Sequence, residues 1–92
     1  MTGAGEWQLV LTAPARRALC DRLSEAVATA VIDFLTSALV REPRRVGKPL
    51  SAELAGIWSA RRGTYRILFR VVEHHHEVVV LRIERRRDAY RT

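Results

Sequence analysis

Between Tyr65 and Arg85 the sequence alternates in a way that only a pleated sheet can use. Tyr65, Ile67, Phe69 and Val71 share one parity; Arg66, Leu68, Arg70 and Val72 share the other. Successive side chains of a strand leave opposite faces, so one face is apolar and the other carries guanidinium groups. Val78–Arg85 repeats the pattern, with Val79, Leu81 and Ile83 set against Val78, Val80, Arg82 and Glu84. A hairpin centred on His75 lays Val71 opposite Val79, Phe69 opposite Leu81 and Ile67 opposite Ile83. A one-residue slip would mix apolar with charged, so the pattern selects the register.

A third strand, Ile57–Arg61, precedes these. Arg62-Gly63 reads as its two-residue connection, with glycine where positive φ is useful. That pairs Trp58 with Ile67 and Ala60 with Tyr65. The opposite face then collects Ile57, Ser59, Arg61, Arg66, Leu68, Arg70 and Arg82, joined by Arg86 if the parity continues. Arg61, Arg66 and Arg86 fall near one end of the sheet. Arg85-Arg86-Arg87, Tyr90 and Arg91 follow. A charged, solvated face is also what any one-sided antiparallel sheet presents, so this surface alone names no ligand.

The N-terminal half reads differently. Residues 1–6 form a frayed tail, and Trp7–Leu11 a short strand. Thr12 is placed to cap a helix whose first turn tolerates Pro14. Leu19, Leu23, Val27, Val31, Phe34 and Ala38 recur at spacings of three and four, widened by Leu35 and Leu39. This is the stripe of an amphipathic helix on a core. Asp21–Ser24 is a candidate break into two helices, with Ser24 as the second cap. Pro43 ends the helical region, and Arg44–Leu54 reads as a loop with Gly47, Pro49 and Ser51. The order β-α-α-β-β-β predicts one α+β domain over residues 1–92. It is a four-stranded, mostly antiparallel sheet with a helical hairpin on one face.

Composition narrows the partners. The net charge is +6, and of the 16 basic residues only Lys48 is not arginine. Arginine grips phosphate through a planar fork of donors, so nucleic acid or an acidic protein is the expected partner. The single cysteine, Cys20, excludes an intrachain disulfide and reads as a small buried hydrophobe. No Cys/His spacing resembles a zinc site, and His74-His75-His76 reads as an exposed hairpin tip. No stretch has the length of a membrane span. The expectation is a cytoplasmic protein without metal or cofactor.

Specific residues carry this further. Arg41-Glu42-Pro43, Val46–Leu50, Leu54 with Gly56, Trp58–Arg66, Val79–Arg82 and Arg86–Arg91 together resemble the RelE branch of the RelE/ParE toxin superfamily. The Gly63-Thr64-Tyr65-Arg66 segment and the C-terminal arginine and tyrosine are its most specific parts. The resemblance implies a type II toxin that cleaves ribosome-bound mRNA without a metal. In that chemistry the ribose 2′-OH attacks the adjacent phosphorus, and arginines stabilise the charge on the phosphoryl oxygens. It assigns this work to Arg66 and Arg86, with Tyr90 orienting the 2′-OH or stacking on a base. Arg61, Arg62, Arg70, Arg82, Arg85 and Lys48 are the expected RNA contacts, and Tyr65 is structural by parity. It also implies a RelB-like acidic antitoxin that folds across the basic surface, in a hetero-oligomer that binds operator DNA through the antitoxin.

The chain departs from the family pattern where protons would move. Ile57 and Ser59 stand where a well-known member has two lysines, and Arg85 stands where many relatives have histidine. Arginine does not deprotonate in proteins. The runner-up reading is therefore a ParE-like toxin, a non-nuclease that inhibits DNA gyrase. A general nucleic-acid-binding module ranks third, since few aromatic residues are left for stacking.

Overall fold

A computed structural model describes residues 6–50 and 56–85. The element order is β1 (Gln8–Leu11), α1 (Ala13–Arg17), α2 (Glu25–Phe34), α3 (Pro43–Val46), β2 (Lys48–Pro49), β3 (Trp58–Arg62), β4 (Tyr65–Val72) and β5 (Glu77–Arg85). The five strands form one sheet in the order β1-β5-β4-β3-β2. β1 runs parallel to β5, and the other pairs are antiparallel. The expected α+β class holds, but among the described residues the sheet is five-stranded and mixed, and there is a third helix.

Two capping residues set the helices. The Thr12 hydroxyl accepts from Ala15 N–H at 3.3 Å and opens α1. α1 continues through a π turn, Ala18–Arg22, and stops where Leu23 turns extended. Ser24 then accepts from Val27 N–H at 3.3 Å and opens α2. The candidate break at Asp21–Ser24 is therefore real. α2 continues through a second π turn, Leu35–Leu39. Pro43 does more than end this region. It opens α3, where a missing N–H costs nothing. The expected loop from Arg44 thus begins as helix and holds the two-residue strand β2, while Ser51 lies outside the described residues.

The strands correct two details of register. The β3–β4 turn is Gly63-Thr64, with Gly63 at φ +63°, and Trp58 pairs with Phe69, Ala60 with Ile67 and Arg62 with Tyr65. The register is two residues from the expected one. An even shift preserves parity, so the face assignment survives. In the β4–β5 hairpin Ile67 pairs with Ile83 as expected, but Phe69 pairs with Val80 and Val71 with Val78. A bulge places Leu81 out of pairing, and beyond it the parity of β5 reverses. The buried residues are therefore Val78 and Val80, not Val79 and Leu81.

Phe69, Leu35, Leu39, Ile67, Val31, Val78 and Val80 are the large side chains fully buried between helices and sheet. Leu19, Leu23, Val27 and Phe34 pack around them. Gly47 lies against the Phe69 ring so closely that a Cβ there would stand 2.6 Å from Cζ. Cys20 is exposed, contrary to expectation. α1 turns Ala15 and Ala18 to the core, which leaves Cys20 outside. No helix among the described residues is long and apolar enough to cross a membrane.

Candidate functional site

Register turns the arginine-bearing face into a grid. Directly paired residues of neighbouring strands share a face. One row runs Lys48, Ser59, Leu68, Arg82, and the next runs Arg61, Arg66, Glu84. Rows are two residues apart and strands about 4.8 Å apart. Arg70, opposite Val79, extends the surface toward the far end. Arg61, Arg66, Arg70 and Arg82 thus lie on the face away from the helices, as parity predicted. Lys48, whose side sequence alone left open, joins them because β2 pairs it with Ser59.

Glu84 organises the middle of this face. Its carboxylate receives the Arg66 guanidinium through Nη2 at 3.3 Å and the Arg82 guanidinium through Nη1 at 3.5 Å. The Arg66 and Glu84 side chains are 29% and 25% exposed, whereas Arg82 is 62% exposed. Arg66 is therefore held in place and Arg82 is freer. The Nε atom of Arg66 is buried and meets no acceptor among the described residues. Sequence reading placed Glu84 on this face but gave it no role. The signal was available, because Glu84 shares its parity with Arg82 and faces Arg66.

Arg62 and Arg85 lie on the other side. Arg62 has the parity of Trp58 and Ala60, and its guanidinium sits 6.0 Å from the Phe34 ring centre. Arg85 pairs with Tyr65 and lies 6.0 Å from that ring. Tyr65 is buried in the core. Beyond Val80 the edge of β5 has no β1 partner. A hollow of about 410 Å³ opens there, lined in part by Arg22, Tyr65, Arg82, Glu84 and Arg85. Arg86 and Tyr90, expected to act with Arg66, lie outside the described residues, as do Arg87 and Arg91.

The histidine tip lies at the far end of the hairpin. His74, His75 and His76 are exposed, and among the described residues no group of three or more His, Cys, Asp or Glu gathers as metal ligands would. His76 has a structural task that sequence did not suggest. It takes positive φ (54°) to close the turn and stacks on Trp7 at 4.1 Å. Its carbonyl accepts from Gln8 N–H at 2.9 Å. Arg44 lies over the Trp7 ring and pairs with Glu73.

This fold is that of a known class of small toxins. A family model for the ParE toxin of type II toxin–antitoxin systems (parDE) matches residues 10–90. The chain belongs to that family, within the RelE/ParE superfamily and of the RelE type. It is 52% identical to Toxin RelG of Mycobacterium tuberculosis over 80 residues, covering 87% of this chain and 91% of that protein. It is 41% identical to Toxin RelE of the same organism over 85 residues, covering 92% and 87%. The toxin–antitoxin complex RelBE2 of M. tuberculosis contains a chain that superposes with a TM-score of 0.83 at 48% identity, covering 88% of this chain and 99% of that one. The isolated Escherichia coli RelE toxin superposes with a TM-score of 0.71 at 16% identity, covering 86% and 83%; that likeness is one of fold.

Proposed function

We propose that this toxin is a ribosome-dependent mRNA endoribonuclease that inhibits translation and is restrained by an acidic, RelB-like antitoxin. The observation that carries the reading is the row Arg61, Arg66, Glu84 beside Arg82. It sets arginine positions about one strand spacing apart on an open face. Such a face suits a phosphate whose charge grows during in-line attack by the neighbouring 2′-OH. Donors fixed in advance are worth most where that charge develops, and Arg66 is fixed by Glu84. Arg86 and Tyr90 complete the proposed set, with Arg70, Arg82 and Lys48 guiding the strand. The antitoxin reading is supported by solved complexes of related toxins, among them RelBE2 of M. tuberculosis and the RelE–RelB complex of Pyrococcus horikoshii.

A specific observation favours a second reading. Ile57, Ser59 and Arg85 offer no proton carrier, and a ParE-type toxin that inhibits gyrase needs none. Two assays separate the readings. Mapping RNA 5′ ends after induced expression should give new ends within translated messages, and purified toxin should leave gyrase supercoiling intact. Supercoiling inhibition without new ends would decide for the gyrase reading.

A further inference from the structure

We infer that Glu84 is the proton acceptor of the cleavage reaction, an inference that rests on the nuclease reading above. The reaction needs a group to take the 2′-OH proton. Ser59 is a poor acceptor, Ile57 is none, and Arg85 carries only donors and faces the helices beside Tyr65. Glu84 is the carboxylate of the arginine rows among the described residues.

Its position in the row matters as much as its chemistry. Arg61, Arg66 and Glu84 follow one another across β3, β4 and β5. A phosphate seated on Arg61 and Arg66 leaves Glu84 at its side, on the strand next to that of Arg66 (~4.8 Å between strands). In the proposed arrangement the adjacent ribose lies on that side, with its 2′-hydroxyl toward the Glu84 carboxylate. The carboxylate is also oriented, held by Arg66 at 3.3 Å and Arg82 at 3.5 Å and only a quarter exposed. The 2′-OH proton passes to a Glu84 carboxylate oxygen, and the 2′-oxygen forms its bond to phosphorus. The bond from phosphorus to the 5′-oxygen breaks, and that oxygen leaves with the electron pair and takes a proton from water. The products are a 2′,3′-cyclic phosphate and a 5′-hydroxyl, and Glu84 returns its proton to solvent.

The same carboxylate could instead only tether Arg66, or occupy the phosphate site as a brake. Glu84→Gln separates these roles. Glutamine still accepts a hydrogen bond from Arg66 through Oε1, so the tether survives while the basicity is lost. The experiment is single-turnover cleavage of ribosome-bound mRNA by wild type and Glu84→Gln, with affinity for the same complex measured in parallel. Loss of a general base costs on the order of 10²–10⁴-fold in rate. The expected result is a loss of at least that lower order, with affinity equal to or tighter than wild type because a negative charge has left the phosphate face. Glu84→Asp should recover part of the rate. Undiminished cleavage by Glu84→Gln overturns the assignment in favour of a tether, and faster cleavage overturns it in favour of a brake. An inert wild type fails the nuclease reading itself, and the proton acceptor with it.

Discussion

The Thr12 hydroxyl donates to the carbonyl of Leu81 at 2.7 Å, so the cap of the first helix is also the clamp on the sheet's bulge. Thr12 N–H adds a bond to the Val80 carbonyl at 3.1 Å. The bulge is what turns Val78 and Val80 into the core while keeping Arg82 and Glu84 on the open face. Thr12→Val keeps the shape and removes the hydroxyl. It should cost about 1 kcal/mol for the cap and about 1 kcal/mol for the Leu81 bond, lowering the melting temperature by roughly 10 °C. Thr12→Ser should stay near wild type. Calorimetry on the three proteins checks this.

Gly47→Ala should destabilise by about 1–3 kcal/mol, the usual cost of overpacking. The new Cβ would meet Cζ of the fully buried Phe69 ring, with the Ser59 carbonyl 3.2 Å away on the other side. A shift in the denaturation midpoint at unchanged slope is the expected observation.

The two faces of the sheet make separable predictions for arginines that look alike in sequence. Arg61→Ala and Arg82→Ala remove charge from the open face. Each should weaken binding to the ribosome–message complex and lower the salt slope by about one if it contacts a phosphate. Arg62→Ala and Arg85→Ala act on the helix side, beside Phe34 and Tyr65, and should leave that slope unchanged. Affinity measured across a salt series distinguishes the pairs.

The antitoxin complex should weaken with salt. A chain of net charge +6 meeting an acidic segment associates through charges that salt screens, with a Debye length near 10 Å at 0.1 M. Calorimetric titration at rising salt should show a falling affinity. An affinity independent of salt would indicate a mainly apolar interface.

Much of this fold was legible because parity is robust. The β3–β4 turn sits one residue later than Arg62-Gly63 suggests, yet Trp58 and Ala60 still face the core and Arg61 still faces out. A two-residue shift moves no side chain across the sheet. The bulge at Leu81 was not legible, because Val78, Val79, Val80 and Leu81 are apolar on both parities and carry no glycine to mark it. The parallel pairing of β1 with β5 was hidden for another reason. It joins Gln8–Leu11 to Glu77–Val80, and three apolar residues on each strand cannot announce a partner so far along the chain. Lys48 was an expected RNA contact, but the face it takes followed only from its pairing with Ser59. Arg66 was named from its motif; its ion pair with Glu84, 3.3 Å away, is what a search for arginines passes over.

The proposed nuclease activity places the cutting of RNA on the Arg66 face. Its most direct test is single-turnover cleavage of mRNA on purified ribosomes by wild type and Arg66→Ala, with both proteins shown to fold and to bind the antitoxin. Wild type should cleave at specific sites, and Arg66→Ala should lose on the order of 10²–10³-fold in rate, the usual cost of removing one fixed charge stabiliser. Equal cleavage by the two proteins, or none by wild type, would contradict that placement.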